Sequence, residues 1–449
     1  MKAKLILSFV LLVSMLNQSH GKMNYLVDKL MDNISPSDAV RGIVVASPSK
    51  EEPNYYYHWV RDAALVMDVV NSLYNRELDP IRKQFYKEAM MDYTYLVKSN
   101  QETFTYSDLG EPKFYVNGDA YLEPWGRPQN DGPALRAITL IKFANSLLDQ
   151  GEYDLVKNLF YNGSIPATSV IKRDLEFVSH HYQEISFDYW EEVIGYHFST
   201  EMVQRRALIE GAKLARRLDD NAAADWYVSQ AKKIETMIHA HWDESKNIIR
   251  ASRHINNKPS GLDVATILGV LHAKGDDNFY SFSDERVLST AIYIKDSFKA
   301  IYKINQDSKF GTAIGRYPED TYDGYTTASR GNPWFLATVA YAELYTHIKK
   351  DFLRKNVINI TAVSAPFFRD IIGETFLPMS ENISLTSSLG KRILSGLDRK
   401  IEGFYKRVEH HRSRSGNISE QMHRDYGRMQ GARDLTWSYA SYISALLAK

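Results

Sequence analysis

An all-α chain folded as a single domain is predicted by three observations. Helical hydrophobic spacing recurs along nearly the whole length, sustained β alternation is scarce, and no Ser/Gly-rich linker or low-complexity tract divides the chain. "WVRDAALVMDVVNSLY" and "IRKQFYKEAMMDYTYLVKSN" come first, with apolar residues three and four apart, the spacing that places them on one helix face. "GPALRAITLIKFANSLLDQ", "EMVQRRALIEGAKLARRL" and "NAAADWYVSQAKKIETMIHAHW" repeat the pattern, as do "RVLSTAIYIKDSFKAIYKI", "NPWFLATVAYAELYTHIKK", "LGKRILSGLDRKIEGFYKRV" and the final "DLTWSYASYISALLA". Weaker segments near 24–32, 170–183 and 262–272 bring the expected total to about a dozen helices. Such a set in 449 residues fits a bundle, a solenoid or a closed toroid, and periodicity does not choose among them.

The connectors are more distinctive than the helices. "DLGEPKFYVNGDAYLEPWGRPQNDGP", "SFDYWEEVIGYHFS", "GTAIGRYPEDTYDGYTTASRGNPW" and "SRSGNISEQMHRDYGRMQGARDLTW" are long and rich in Gly, Pro, Tyr and Trp. Long loops with large aromatics carry function more often than they merely connect. Trp59, Trp125, Trp190, Trp334 and Trp437 fall in or beside such segments, near Asp, Glu or Arg, whereas Trp226 and Trp242 do not. Sugars suit this mixture, because their C–H faces stack on rings while their hydroxyls need charged and amide partners.

Composition narrows the partners. Lys plus Arg and Asp plus Glu number 55 each, so the formal charge is zero. This argues against nucleic acid or an anionic membrane and suits an uncharged substrate. The basic run "QRRALIEGAKLARR" has helical spacing and reads as a solvated face. There is no cysteine, which excludes disulfides, thiolate metal sites and a Cys nucleophile. Residues 1–21 have the order of a secretory signal: Lys2 and Lys4, the apolar "LILSFVLLVSML", then small Ser19 and Gly21. A mature domain over 22–449, exported and soluble, is expected. Asn33, Asn162, Asn359, Asn382 and Asn417 each begin an N-x-Ser/Thr sequon.

The chemistry centres on "DYWEEVIGYHFST", which sets Asp188, Glu191 and Glu192 around Trp190. Glycoside hydrolysis needs two carboxyls with different jobs, one protonated acid and one partner. An apolar neighbour raises a carboxyl pKa by desolvation, and Trp190 is expected to do this for Glu191. A partner that activates water would come from a distant loop, with Asp119, Asp131, Asp320 and Glu420 all open. The His pairs at 180–181 and 410–411 and the His239-x-His241 spacing lack any metal-site pattern and read as structural or exposed.

Six blocks, "YYYHWVRDAALV", "PWGRPQNDGPALRA", "FDYWEEV", "GRYPEDTYDGY", "GNPWFLATVAYAE" and "GARDLTWSYAS", resemble in order the signatures of the glucoamylases, the glucan 1,4-alpha-glucosidases of glycoside hydrolase family 15. The resemblance spans roughly residues 40 to 449 and implies an (α/α)6 toroid with inner-helix loops facing a central pocket. It also implies an inverting, exo-acting, cofactor-free hydrolase working as a secreted monomer on an α-glucan. By motif, Glu191 matches the general acid, Glu192 a substrate-binding carboxylate and Glu420 the general base, with Asp188 kept as second choice for the base. Arg61 and Asp62 match residues gripping the terminal glucose, Trp125 a wall supporting the transition state with Arg127 beside it, and Trp190 part of the pocket. Arg316 and Trp334 match further sugar contacts, and Tyr55 a tyrosine near the base. His58, Ile194 and "EQMHRD" depart from the family pattern and bear on outer contacts. The length is expected to hold a catalytic domain alone.

Overall fold

The computed structural model describes residues 21–449; the predicted signal segment lies outside them apart from Gly21. After a helix over residues 21–31 (α1), the main helices among the described residues are α2 (Val60–Arg76), α3 (Pro80–Glu102), α4 (Asp131–Asp149), α5 (Val170–His181), α6 (Phe198–Arg217) and α7 (Asn221–His239). They continue with α8 (Ala265–His272), α9 (Glu285–Ile301), α10 (Phe335–Lys355), α11 (Ala365–Ile372), α12 (Ser388–His411) and α13 (Thr436–Leu447). The expected helices are present, with α11 added; its eight residues are too short to show periodicity.

The packing order answers what periodicity left open. α2 packs on α4, α4 on α6, α6 on α8, α8 on α10, α10 on α13, and α13 returns to α2. Those six make a closed ring, and α3, α5, α7 and α12 pack outside α2, α4, α6 and α10. The fold is the (α/α)6 toroid. Close packing has a local requirement at Gly269 of α8, where a Cβ would stand 2.7 Å from the Ser199 Cα of α6.

Four of the outer helices start differently from the six ring helices. α3, α7, α9 and α12 are capped by Asp79, Asp220, Asp284 and Ser387, each accepting from a backbone N–H of the first turn. No ring helix has a side-chain cap; the N-cap positions of α2, α4, α6, α8, α10 and α13 are Trp59, Asn130, His197, Val264, Trp334 and Leu435. Long loops therefore decide what meets the positive ends of the ring helices. Short strand pairs brace these loops: His58–Trp59 with Lys113–Phe114, Ser186–Phe187 with Ile194–Gly195, and Gln421–Met422 with Met429–Gln430.

Candidate active site

The loops before five of the six ring helices converge on a cavity of about 340 Å³, a volume suited to a small ligand. All five tryptophans singled out by position line it, and Trp226 and Trp242 do not. Glu191, Glu192 and Glu420 reach the same cavity from two separate loops.

Glu191 sits at a left-handed backbone position, φ 64°, in the turn that precedes the Ile194–His197 strand and α6. That conformation is uncommon for a residue with a side chain and is held by the surrounding bonds. Its Oε1 accepts from Trp59 Nε1 at 2.8 Å and Gln129 Nε2 at 3.0 Å, and its Oε2 from Trp125 Nε1 at 3.0 Å. Arg61 Nη2 lies 3.5 Å from Oε1. The neighbouring indole differs from the one expected. Trp190 donates its N–H to Asp263 and packs its ring on Trp334 and Trp437, so Trp59 and Trp125 are the indoles that meet the Glu191 carboxyl.

Glu420 stands one residue before a two-residue strand and is wholly buried at its carboxyl end. Its backbone N–H donates to the Ala432 carbonyl, and its own carbonyl accepts from Phe335 N at the start of α10. Oε2 accepts from Gln421 Nε2 at 3.3 Å, while Oε1 has no hydrogen-bond partner in the protein. Burial pushes this carboxyl up to about 8, against the opposing pull of the Tyr55 hydroxyl and the Arg316 charge. Gly431, at φ 71°, packs directly on it: a Cβ there would lie 2.1 Å from Oε2.

The remaining polar groups form two clamps. Arg61, at the start of α2, donates to Gln129 at 2.8 Å and faces Asp131, Asp62 and Glu191. Asp62 is raised to about 6 by burial, partly offset by Arg61. Arg316 pairs with Asp320 at 2.5 Å and with Glu192 at 2.7 Å, and Tyr317 donates to the other Glu192 oxygen at 2.6 Å. Tyr55 and Tyr322 share a 2.8 Å hydrogen bond at the cavity wall.

Two predicted site residues do not reach the cavity. Asp188 is buried against Lys258 at 2.7 Å and accepts from the backbone N–H groups of Glu192 and Val193. Burial raises its pKa but the Lys258 charge outweighs it, holding Asp188 down at about 2. Arg127 is tied to Glu111 and to the carbonyls of Tyr121 and Glu123, bracing the Trp125 loop. Of the open candidates for the second carboxyl, Asp131 and Asp320 are bound to Arg61 and Arg316, and Asp119 is exposed beside Asn117. Sequence reasoning missed Gln129, Tyr322 and Lys258 as site residues. Gln129 and Tyr322 lie inside signature blocks, so a signal was there; Lys258, in "NNKPSG", had none.

A closed α/α ring whose loops set two carboxyls into an aromatic-walled cavity defines a glycoside hydrolase of the toroidal class. The model of the glycosyl hydrolases family 15 matches residues 22–447, and the chain belongs to that family. A glucoamylase of Blastobotrys adeninivorans is 38% identical over 431 residues, covering 94% of this chain and 69% of that protein. Glucoamylase 1 of Rhizopus oryzae is 38% identical over 427 residues, covering 94% and 68%. The solved glucoamylase of Saccharomycopsis fibuligera superposes with TM-score 0.86 at 29% identity, covering 96% of this chain and 94% of that one. The family 15 glucoamylase of Hypocrea jecorina gives TM-score 0.87 at 29% identity, covering 96% and 72%.

Proposed function

We propose that this protein is an exo-acting, inverting glucan 1,4-α-glucosidase that releases β-D-glucose from the non-reducing ends of α-1,4-linked glucans, with slower α-1,6 cleavage. The observation that supports it best is the pair of unlike glutamates, Glu191 held by N–H donors and Glu420 buried without an ion pair, in one tryptophan-lined cavity.

In this reading Glu191 is the general acid. Its Oε2 has a single protein partner, Trp125, and keeps a lone pair to carry the proton to the glycosidic oxygen. The N–H groups of Trp59, Trp125 and Gln129 then stabilise the carboxylate left behind. Glu420 is the base. Its unpartnered Oε1 is where a water would donate as it attacks C1 from the face opposite the leaving oxygen. Arg61 and Asp62 grip the terminal glucose, and Glu192 and Arg316 hold the next contacts, with Trp125, Trp190 and Trp334 as walls. Residues 1–21 act as a secretory signal, and the mature protein works outside the cell; no helix among the described residues is long and apolar enough to cross a membrane.

Product analysis tests the reading. Maltoheptaose should yield glucose from the first time points, and proton NMR during early maltose hydrolysis should show the β anomer before mutarotation. Initial α-glucose, or maltose and longer fragments as first products, would reject it.

A further inference from the structure

Behind the two indoles that meet Glu191 lies a lysine that the reaction scheme does not use. Lys113, on the strand paired with His58–Trp59, is only 2% exposed. Its Nζ sits 3.6 Å from the Trp125 ring centroid, 4.5 Å from Trp59, and 4.0 Å from both Tyr57 and Tyr121. Its ammonium forms no ion pair among the described residues; rings surround it instead. Burying a cation in this way carries a desolvation cost, which cation–π contacts offset only in part. Consistent with that cost, burial lowers Lys113 to about 8, against an attraction to Glu191.

We infer that Lys113 is a positioning and charge-tuning residue for Glu191, acting through the Trp59 and Trp125 indoles. Each indole presents its face to the ammonium and its N–H to a different oxygen of one carboxyl. A cation over the ring draws electron density from the nitrogen side, so the N–H becomes a better donor to a carboxylate. The cage also fixes both rings, and hence both N–H vectors. Charge and geometry together stabilise the carboxylate that forms as Glu191 passes its proton to the leaving oxygen. The other charged groups around Glu191 are Arg61 at 3.5 Å, then Asp62 and Asp131 behind Arg61. Around Lys113 the remaining charge is Arg127, which Glu111 neutralises. Lys113 is therefore a positive charge on the indole side of the carboxyl with no acid of its own.

The inference rests on Glu191 being the general acid, so Glu191→Gln is assayed in parallel. Lys113→Met keeps the stem and removes the charge; Lys113→Gln repeats the test with a polar head; Lys113→Arg restores a cation that stacks on rings. The readout is the pH profile of kcat on maltose. Loss of the charge should move the limb that Glu191 sets upward by about half to one pH unit, because the acid then holds its proton to higher pH. Turnover should drop by roughly tenfold, and Lys113→Arg should return the limb to within about 0.2 unit. A limb that stays in place in Met and Gln variants would make Lys113 a packing residue and overturn the inference. So would Met and Gln variants that do not fold while Arg does. A Glu191→Gln enzyme that keeps its turnover would instead reject the acid assignment, whatever Lys113 does.

Discussion

Two buried carboxyls in the same ring of loops are built in opposite ways. Asp188 has a cation, Lys258, which it shares with Asp263, and two backbone N–H donors, and is held at about 2. Glu420 forms no ion pair, has one side-chain donor at 3.3 Å and an oxygen with no partner, and is pushed up to about 8. A buried acid whose charge is fully matched contributes to structure; one left unmatched beside a cavity has chemistry to offer. The choice of base follows from position: Glu420 lines the cavity with an unpartnered oxygen, whereas Asp188 does not reach it and shapes the turn carrying Glu191 and Glu192.

The largest expected effect breaks the unmatched corner. Glu420→Gln should lower kcat on maltose by roughly 10²–10⁴ or more. The same change should stabilise the fold as pH rises. The folded carboxyl holds its proton up to about 8, whereas the unfolded chain releases it near 4.5, so ionisation costs stability across that window. Calorimetry should show no Tm gain for the variant at pH 4 and a gain of a few degrees at pH 8. A variant near full activity, with Asp188→Asn inactive, would reverse the assignment of the base.

Gly431→Ala strains the same corner without touching its charge. The Cβ would meet Glu420 Oε2 at 2.1 Å from a left-handed backbone position. Displacing the carboxyl by about 1 Å should cost on the order of 10²-fold in turnover. KM should change far less, and a Gly431→Ala enzyme with normal kcat would show that the position of Glu420 is not critical.

Asp188→Asn sharpens the comparison from the matched side. Here the folded pKa lies below the ordinary 3.8, so the ionised form stabilises the protein above that value and the benefit is lost as pH falls towards 2. The variant should lose on the order of 2 kcal/mol at pH 6 and almost nothing near pH 2. Its turnover should fall much less than that of Glu420→Gln. Equal loss at both pH values would mean that the carboxylate charge is not what Lys258 requires.

The smallest effect is expected at Trp190→Phe, which keeps the ring stack on Trp334 and Trp437 and removes the N–H donated to Asp263. A loss of about 1 kcal/mol is expected, with kcat changed only a few-fold. A collapse of activity would place Trp190 in direct control of Glu191, which the bond from Trp190 to Asp263 argues against.

The sequons show the same dependence on spatial neighbours. All five read alike in one dimension. Asn33 is buried and gives its amide to Asp434 and Thr436, and Asn417 bonds Tyr25 and Asp434. Asn359 and Asn382 are exposed, and their strands pair. An N-x-Ser/Thr pattern specifies an acceptor, but folding decides which acceptors keep a free amide.

Helix positions, the aromatic character of the connecting loops and the Glu191–Glu192 pair were determined by the sequence alone, because periodicity and adjacency are properties of short stretches. The six ordered blocks went further and carried the toroid and the family, since their order along the chain is itself linear information. Tertiary structure alone decided which side of each group is used. Trp190 is next to Glu191 in the chain, yet its N–H turns to Asp263, while Trp59 and Trp125 arrive from other loops to meet the carboxyl. Lys258 pairs with Asp188 from a loop with no motif, and Lys113 enters a cage whose rings come from two separate segments. The physical reason is common to all of them. A charge is set by what lies within a few ångströms of it, and in a closed ring of helices those neighbours come from segments far apart in the chain.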